Sequence, residues 1–191
     1  LARGRIWTEL LRASYATTLG ALLGNDLDTA ESWLSFREYR QATRVTIILS
    51  PAANALTDLR NNEITADDAY AIVQHDLRDA YYFRLRQALS ELENALNEGF
   101  FIRSAEWLGQ VEGYFAIFSE DYLAQVGTDV PLTTLDQTTA AVLNEDAAAA
   151  LTGVNTLRDS LTAYQPVTLT SAQIAERGQL LYIFIVAPLM S

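Results

Sequence analysis

The chain has 191 residues, half of them hydrophobic, and its 24 acidic side chains outnumber 13 basic ones for a formal net charge of −11. A chain this long buries roughly 70% of its unfolded surface and folds without disulfide or metal staples. The negative balance excludes a reader of phosphate backbones, so no nucleic-acid partner is expected. The absence of Cys excludes disulfides, thiolate metal sites and cysteine nucleophiles.

Helical periodicity dominates from the start. The spacing of Leu11, Tyr15, Leu19 and Leu22 predicts a first helix over Ile6 to Leu23, stopped by Gly24-Asn25-Asp26. Asp26 or Asp28 caps a second helix, expected to run to about Val45. The β-branched run Val45 to Leu49 is a lone strand signal with nothing to pair with. Ser50-Pro51 supplies an N-cap and a first-turn proline for a short helix ending near Asn61-Asn62.

Thr65 with Asp68 three residues on opens a long helix whose core stripe is Leu77, Tyr81, Leu85, Ala88, Leu92 and Leu96, closed by Gly99. The next helix, Phe101 to Val126, carries Trp107, Val111, Phe115, Phe118 and Tyr122 on one face. Ala105, Gly109, Gly113 and Ala116 form a small-residue face behind it, and Gly127 ends it. Pro131 opens a Thr- and Ala-rich section in which one or two helices span Thr133 to Tyr164, broken near Gly153. Gln165-Pro166 reads as a turn, and Ser171 as the cap of a last helix to about Val186.

The predicted fold is a single all-α domain over residues 1–191, a multi-helix up-and-down bundle around two long antiparallel helices, about 65–98 and 101–126. Leu180 to Met190 falls short of the ~20 residues a membrane helix needs and contains Pro188, so no membrane span is expected. A start at Leu1 in place of Met implies residues upstream, where a secretory signal could have stood.

Catalytic constellations are missing. There is one His, no Gly-x-Ser-x-Gly elbow and no phosphate-cradling glycine loop, so an enzyme is not expected. His75, with Asp68 and Asp79 at helical spacing, lies opposite the Leu77 stripe and reads as a solvated face. Carboxylates remain as the candidate metal ligands, a donor type that suits hard cations or iron. Glu31 and Glu38, seven residues apart, fall on the side of the second helix that holds Leu27, Leu34 and Val45. An acid in such a stripe must be paired, metal-bound or protonated. Glu112 sits at the seam between the two faces of its helix. Glu31, Glu38 and Glu112 are therefore the candidate ligands, and pairing of Glu38 with an arginine on a neighbouring helix is the competing reading. No Glu-x-x-His occurs, against a di-iron centre.

Trp33, Arg37, Arg40 and Arg44 line the adjacent face, and these three arginines are the candidate surface for a protein partner. Tyr81-Tyr82-Phe83 and Tyr114-Phe115 read as core and rim packing. Charge is uneven. Between Arg103 and Arg158 there is no basic residue, while Glu106, Glu112, Glu120, Asp121, Asp129, Asp136, Glu145 and Asp146 are all acidic.

Four stretches carry a resemblance: Ala30 to Thr43 (AESWLSFREYRQAT), Asp76 to Gly99 (DLRDAYYFRLRQALSELENALNEG), Glu112 to Gly127 (EGYFAIFSEDYLAQVG) and Ala175 to Leu181 (AERGQLL). In this order they resemble the extracytoplasmic domain that precedes the membrane helices in bacterial members of the high-affinity iron (ferrous/lead) permease family. That family's Arg-Glu-Gly-Leu-Glu transport motif is absent; Arg37-Glu38-Tyr39-Arg40 shares two letters with it but lies in a soluble segment. The resemblance implies a periplasmic or membrane-associated exterior domain tied to iron uptake. Such a domain presents or senses metal ions beside a permease, or docks a protein partner without metal.

Overall fold

Local chemistry sets the helix boundaries. The computed structural model describes residues 1–39 and 50–167. Seven helices are found among the described residues: α1 (Ala2–Leu23), α2 (Leu27–Leu34), α3 (Pro51–Arg60), α4 (Ala66–Asn97), α5 (Phe101–Val126), α6 (Val130–Leu143) and α7 (Ala147–Leu161). Asp26 caps α2 through the Thr29 amide, Ser50 caps α3 with Pro51 in the first turn, and Asp146 caps α7 through Ala149. Thr65 and Asp68 form a reciprocal capping box at the head of α4. Gly99 and Gly127 take positive φ at the two ends of α5, a conformation a Cβ would penalise.

The expected bundle is present. α4 and α5 form the central antiparallel hairpin, α1 packs on both, and the α6–α7 hairpin leans on α5 and α4. All six residues of the predicted α4 stripe are buried, as are Val111, Phe115, Phe118 and Tyr122 of α5. The small face of α5 serves close approach. A Cβ on Gly113 would strike the Thr8 side chain of α1, and one on Gly4 would lie 2.2 Å from the Glu106 carbonyl oxygen.

Three boundaries differ from expectation. α1 starts at Ala2, earlier than Ile6. α2 ends at Leu34 and does not continue to Val45. Its last carbonyls are taken by side chains, the Ser35 hydroxyl donating to Ser32 O at 2.6 Å and the Arg37 guanidinium to Leu34 O at 2.8 Å. Such local bonds offer the backbone an alternative to further helix. Gly153 does not break the Thr/Ala-rich section. The break falls at Asn144–Asp146, and Gly153 lies inside α7, where a Cβ would sit 2.1 Å from Thr138 Oγ1 of α6. That glycine is there for helix contact. The expected last helix from Ser171, the run Val45 to Leu49, and Arg40 and Arg44 lie outside the described residues.

Candidate functional site

Because α2 stops at Leu34, Glu38 is carried on an irregular segment instead of sharing a helix face with Glu31. This corrects the expected stripe and has a chemical consequence. The segment folds back over α1, α4 and α5, and the Glu38 carboxylate reaches residues distant in sequence. Trp7 Nε1 donates to Oε1 at 2.6 Å, the Tyr114 hydroxyl donates to Oε2 at 2.5 Å, and Arg84 Nε lies 3.4 Å from Oε2. The carboxylate side chain keeps 21% of its exposure, so it stands at the rim of the core and not inside it.

Two phenols flank this carboxylate. Tyr81 and Tyr114 stack with ring centroids 6.3 Å apart. The Tyr81 hydroxyl is buried against the Glu38 main chain, whose backbone hydrogen bond pulls the phenol's pKa down. Burial first, then the Glu38 charge, pushes both phenols well above their ordinary value. Arg37 opposes this at Tyr81 and Arg84 opposes it at Tyr114. The Nε of Arg37 is buried without a hydrogen-bond partner, and that of Arg84 meets Glu38 through the 3.4 Å ion pair alone. An unmatched buried polar atom is costly, roughly 1–3 kcal/mol, and calls for a reason.

The other two acids stand apart. Glu31 is exposed at the surface, where Arg60 grips both its oxygens at 3.2 and 3.0 Å and also Asp28 at 2.8 Å. Glu112 sits at the seam, 16% exposed, held by Arg5 Nε at 2.6 Å and by the Thr139 hydroxyl at 2.8 Å. Among the described residues no three His, Asp or Glu side chains gather closely enough to hold a metal ion together. Each of the three candidates has its own arginine, as the pairing alternative for Glu38 anticipated.

Of the three arginines of the candidate partner surface, Arg37 alone lies among the described residues. Arg37 turns inward, donating to Leu34 O and to Ser50 Oγ at 3.3 Å, with its guanidinium 4.7 Å above the Tyr39 ring. His75 and Asp68 are exposed, as a solvated face requires.

Periodicity assigned Tyr81 and Tyr114 to packing and gave no reason to join them to Glu38. A signal existed in retrospect. Both are inward-facing tyrosines with a polar tip that a buried position must satisfy.

A second polar chain ties the bundle next to Tyr81, whose ring meets that of Tyr15 edge-on at 6.4 Å. The Tyr164 hydroxyl donates to Asp121 at 2.7 Å, Asp121 pairs with Arg78 at 2.9 Å, and Arg78 donates to the Tyr15 hydroxyl at 3.1 Å. Tyr164 also stacks on Phe118 at 5.1 Å. This fastens the chain after α7 to α5.

No helix among the described residues is long and apolar enough to cross a membrane. No curated protein and no solved structure matches the chain. The family described as the iron permease FTR1 N-terminal domain matches residues 1–164, a span that runs from α1 through all seven helices to the Tyr164 anchor and includes the whole Glu38 cluster. The chain therefore belongs to the iron permease FTR1 N-terminal domain family.

Proposed function

We propose that this domain presents or senses iron on the extracytoplasmic side of a membrane permease, with Glu38 as the carboxylate that meets the metal, and that it does no catalysis. Family membership ties the chain to iron uptake within a transporter family. The observation that carries the site reading is the environment of Glu38: a rim carboxylate, 21% exposed, on which Trp7, Tyr114 and Arg84 converge from three helices. Glu31 and Glu112 are weaker candidates in this reading, because their ion pairs with Arg60 at 3.0 Å and Arg5 at 2.6 Å are closer than the 3.4 Å pair of Glu38 with Arg84. The acids between Arg103 and Arg158 add a negative field that concentrates cations near the surface.

Equilibrium dialysis against iron, with magnesium as the control, tests the proposal. Iron should bind more tightly than magnesium, and Glu38→Gln should abolish that preference while Glu31→Gln and Glu112→Gln keep it. Iron binding no tighter than magnesium, or surviving Glu38→Gln, would overturn it.

A second reading has its own observation. At the α4–α5 turn, Phe100 and Ile102 are 52% and 86% exposed in a shallow cleft lined also by Phe101, Glu106 and Glu145. Apolar exposure of this kind suits a protein partner, here the permease's own membrane region. Ile102→Asp should then weaken capture of that region and leave iron binding intact; equal capture by variant and parent counts against it.

A further inference from the structure

A cleft of about 830 Å³ opens beside the contact between α4 and α7. Its size falls in the range of pockets that take small organic ligands, roughly 300–1,000 Å³. Tyr82, Arg86, Leu89 and Ser90 of α4 line it together with Arg158 and Leu161 of α7. The Tyr82 hydroxyl donates to Leu161 O at 2.8 Å and ties one wall to the other. Charge sets this cleft apart from the rest of an acidic molecule. The chain carries −11, yet the lining holds three arginines and one acid, Glu91. Arg84 is committed to Gln87 at 2.8 Å and to Glu38. Arg158 donates to Glu93 at 2.6 Å and to Asn155 at 3.1 Å, and its side chain stays 39% exposed with N–H groups to spare. Arg86 is exposed and meets no hydrogen-bond or ion-pair partner among the described residues.

We propose that this cleft binds a small polycarboxylate, with one carboxylate on Arg86 and a second on Arg158. A guanidinium presents a planar fork of N–H donors that matches a carboxylate, and both heads are open to an arriving ligand. The two arginines stand on different helices, so a ligand that uses both needs anionic groups at separate ends. Leu89 and Leu161 give the short carbon chain between those ends an apolar floor. An inorganic phosphate or a monocarboxylate satisfies one arginine and leaves the other unused. Positive charge gathered in a cleft of an otherwise negative molecule also draws such anions to it. Polycarboxylates are oxygen-rich chelators that keep ferric iron dissolved near neutral pH, which gives the cleft a place in iron uptake. The inference does not use Glu38 as a metal ligand and stands or falls separately from it.

The test is isothermal titration calorimetry of the whole chain with iron-free citrate, at low and at high salt. Citrate should bind at one per chain, about tenfold or more tightly than acetate or inorganic phosphate, and more weakly as salt rises. Arg86→Gln and Arg158→Gln should each weaken citrate about tenfold or more, the loss that follows removal of a charge-assisted hydrogen bond. Arg86 has no partner to lose, so its variant folds as the parent does. Arg158→Gln also breaks the Glu93 pair, and thermal melts check its fold. Arg103→Gln, at an exposed arginine outside the cleft, should leave citrate binding unchanged. No citrate binding, citrate held no tighter than acetate or phosphate, or an unchanged affinity in Arg86→Gln overturns the site. An equal loss in Arg103→Gln and Arg86→Gln reveals diffuse charge attraction and overturns it as well.

Discussion

Gly153→Ala tests whether the α6–α7 contact has been understood. In an isolated helix this change stabilises by roughly 0.8–1 kcal/mol, because alanine loses less backbone freedom than glycine. In this structure the new Cβ would lie 2.1 Å from Thr138 Oγ1, with Thr138 Cβ next at 3.1 Å and Cγ2 at 3.4 Å. Thr138 is 1% exposed and its hydroxyl is committed to Thr134 O at 2.7 Å, so it cannot swing aside freely. Overpacking of this kind costs about 1–3 kcal/mol. The net effect should be a loss of up to about 2 kcal/mol, or roughly 4–8 °C in Tm for a chain of this size. Thr138→Ala removes the atom in closest contact and leaves a tight but tolerable neighbour. In that background Gly153→Ala should become neutral or stabilising. The double-mutant coupling should reach roughly 1–3 kcal/mol, read from urea midpoints at unchanged slope. If Gly153→Ala shifts the midpoint equally in both backgrounds, the close contact with Thr138 is not what requires the glycine.

Thr65→Ala removes the donor–acceptor pair that opens α4 and should lower stability by about 1 kcal/mol, with slower-exchanging amides of the first turn becoming fast in hydrogen exchange. Tyr164→Phe keeps the stack on Phe118 but deletes a hydrogen bond to a charged acceptor; a loss of about 1.5–3 kcal/mol in chemical denaturation is expected, and a loss no larger than that of an exposed tyrosine contradicts the anchor. Asp76 gives a pH test. Burial pushes its carboxyl above the ordinary 3.8, outweighing the Ala52 amide, Arg37 and Ser50, which pull it down. A raised folded value means the folded chain holds the proton more tightly. The contribution is therefore complete below 3.8 and lost as pH rises through the folded value. Asp76→Asn should flatten that part of the stability curve, and the parent should lose ground to the variant as pH climbs from 3.8; a parent that gains ground instead reverses the sign of the shift.

Residue spacing alone determined the helices, their caps and the apolar stripes, because these obey rules that operate within three or four neighbours along the chain. Thr65 and Asp68 cap α4, Ser50 and Pro51 open α3, and Leu77 through Leu96 point inward for that reason. It also placed Glu112 at the seam of its helix, whereas the helical stripe that grouped Glu31 with Glu38 does not exist: Glu31 is exposed and Glu38 lies beyond the end of α2. Where α2 stops is local in part, since Ser35 and Arg37 take its last carbonyls, but where Glu38 then goes is tertiary: donors on α1, α4 and α5 hold it, and periodicity cannot foresee bonds to residues 31 and 76 positions away. Gly153 was ambiguous for the same reason, since a helix-breaking residue and a close helix contact look alike until the partner, Thr138, is in place. The phenols of Tyr81 and Tyr114 followed the packing rule in sequence. Their meeting with Glu38 exists because three separate elements converge, and convergence is a property of the folded chain that no local pattern encodes.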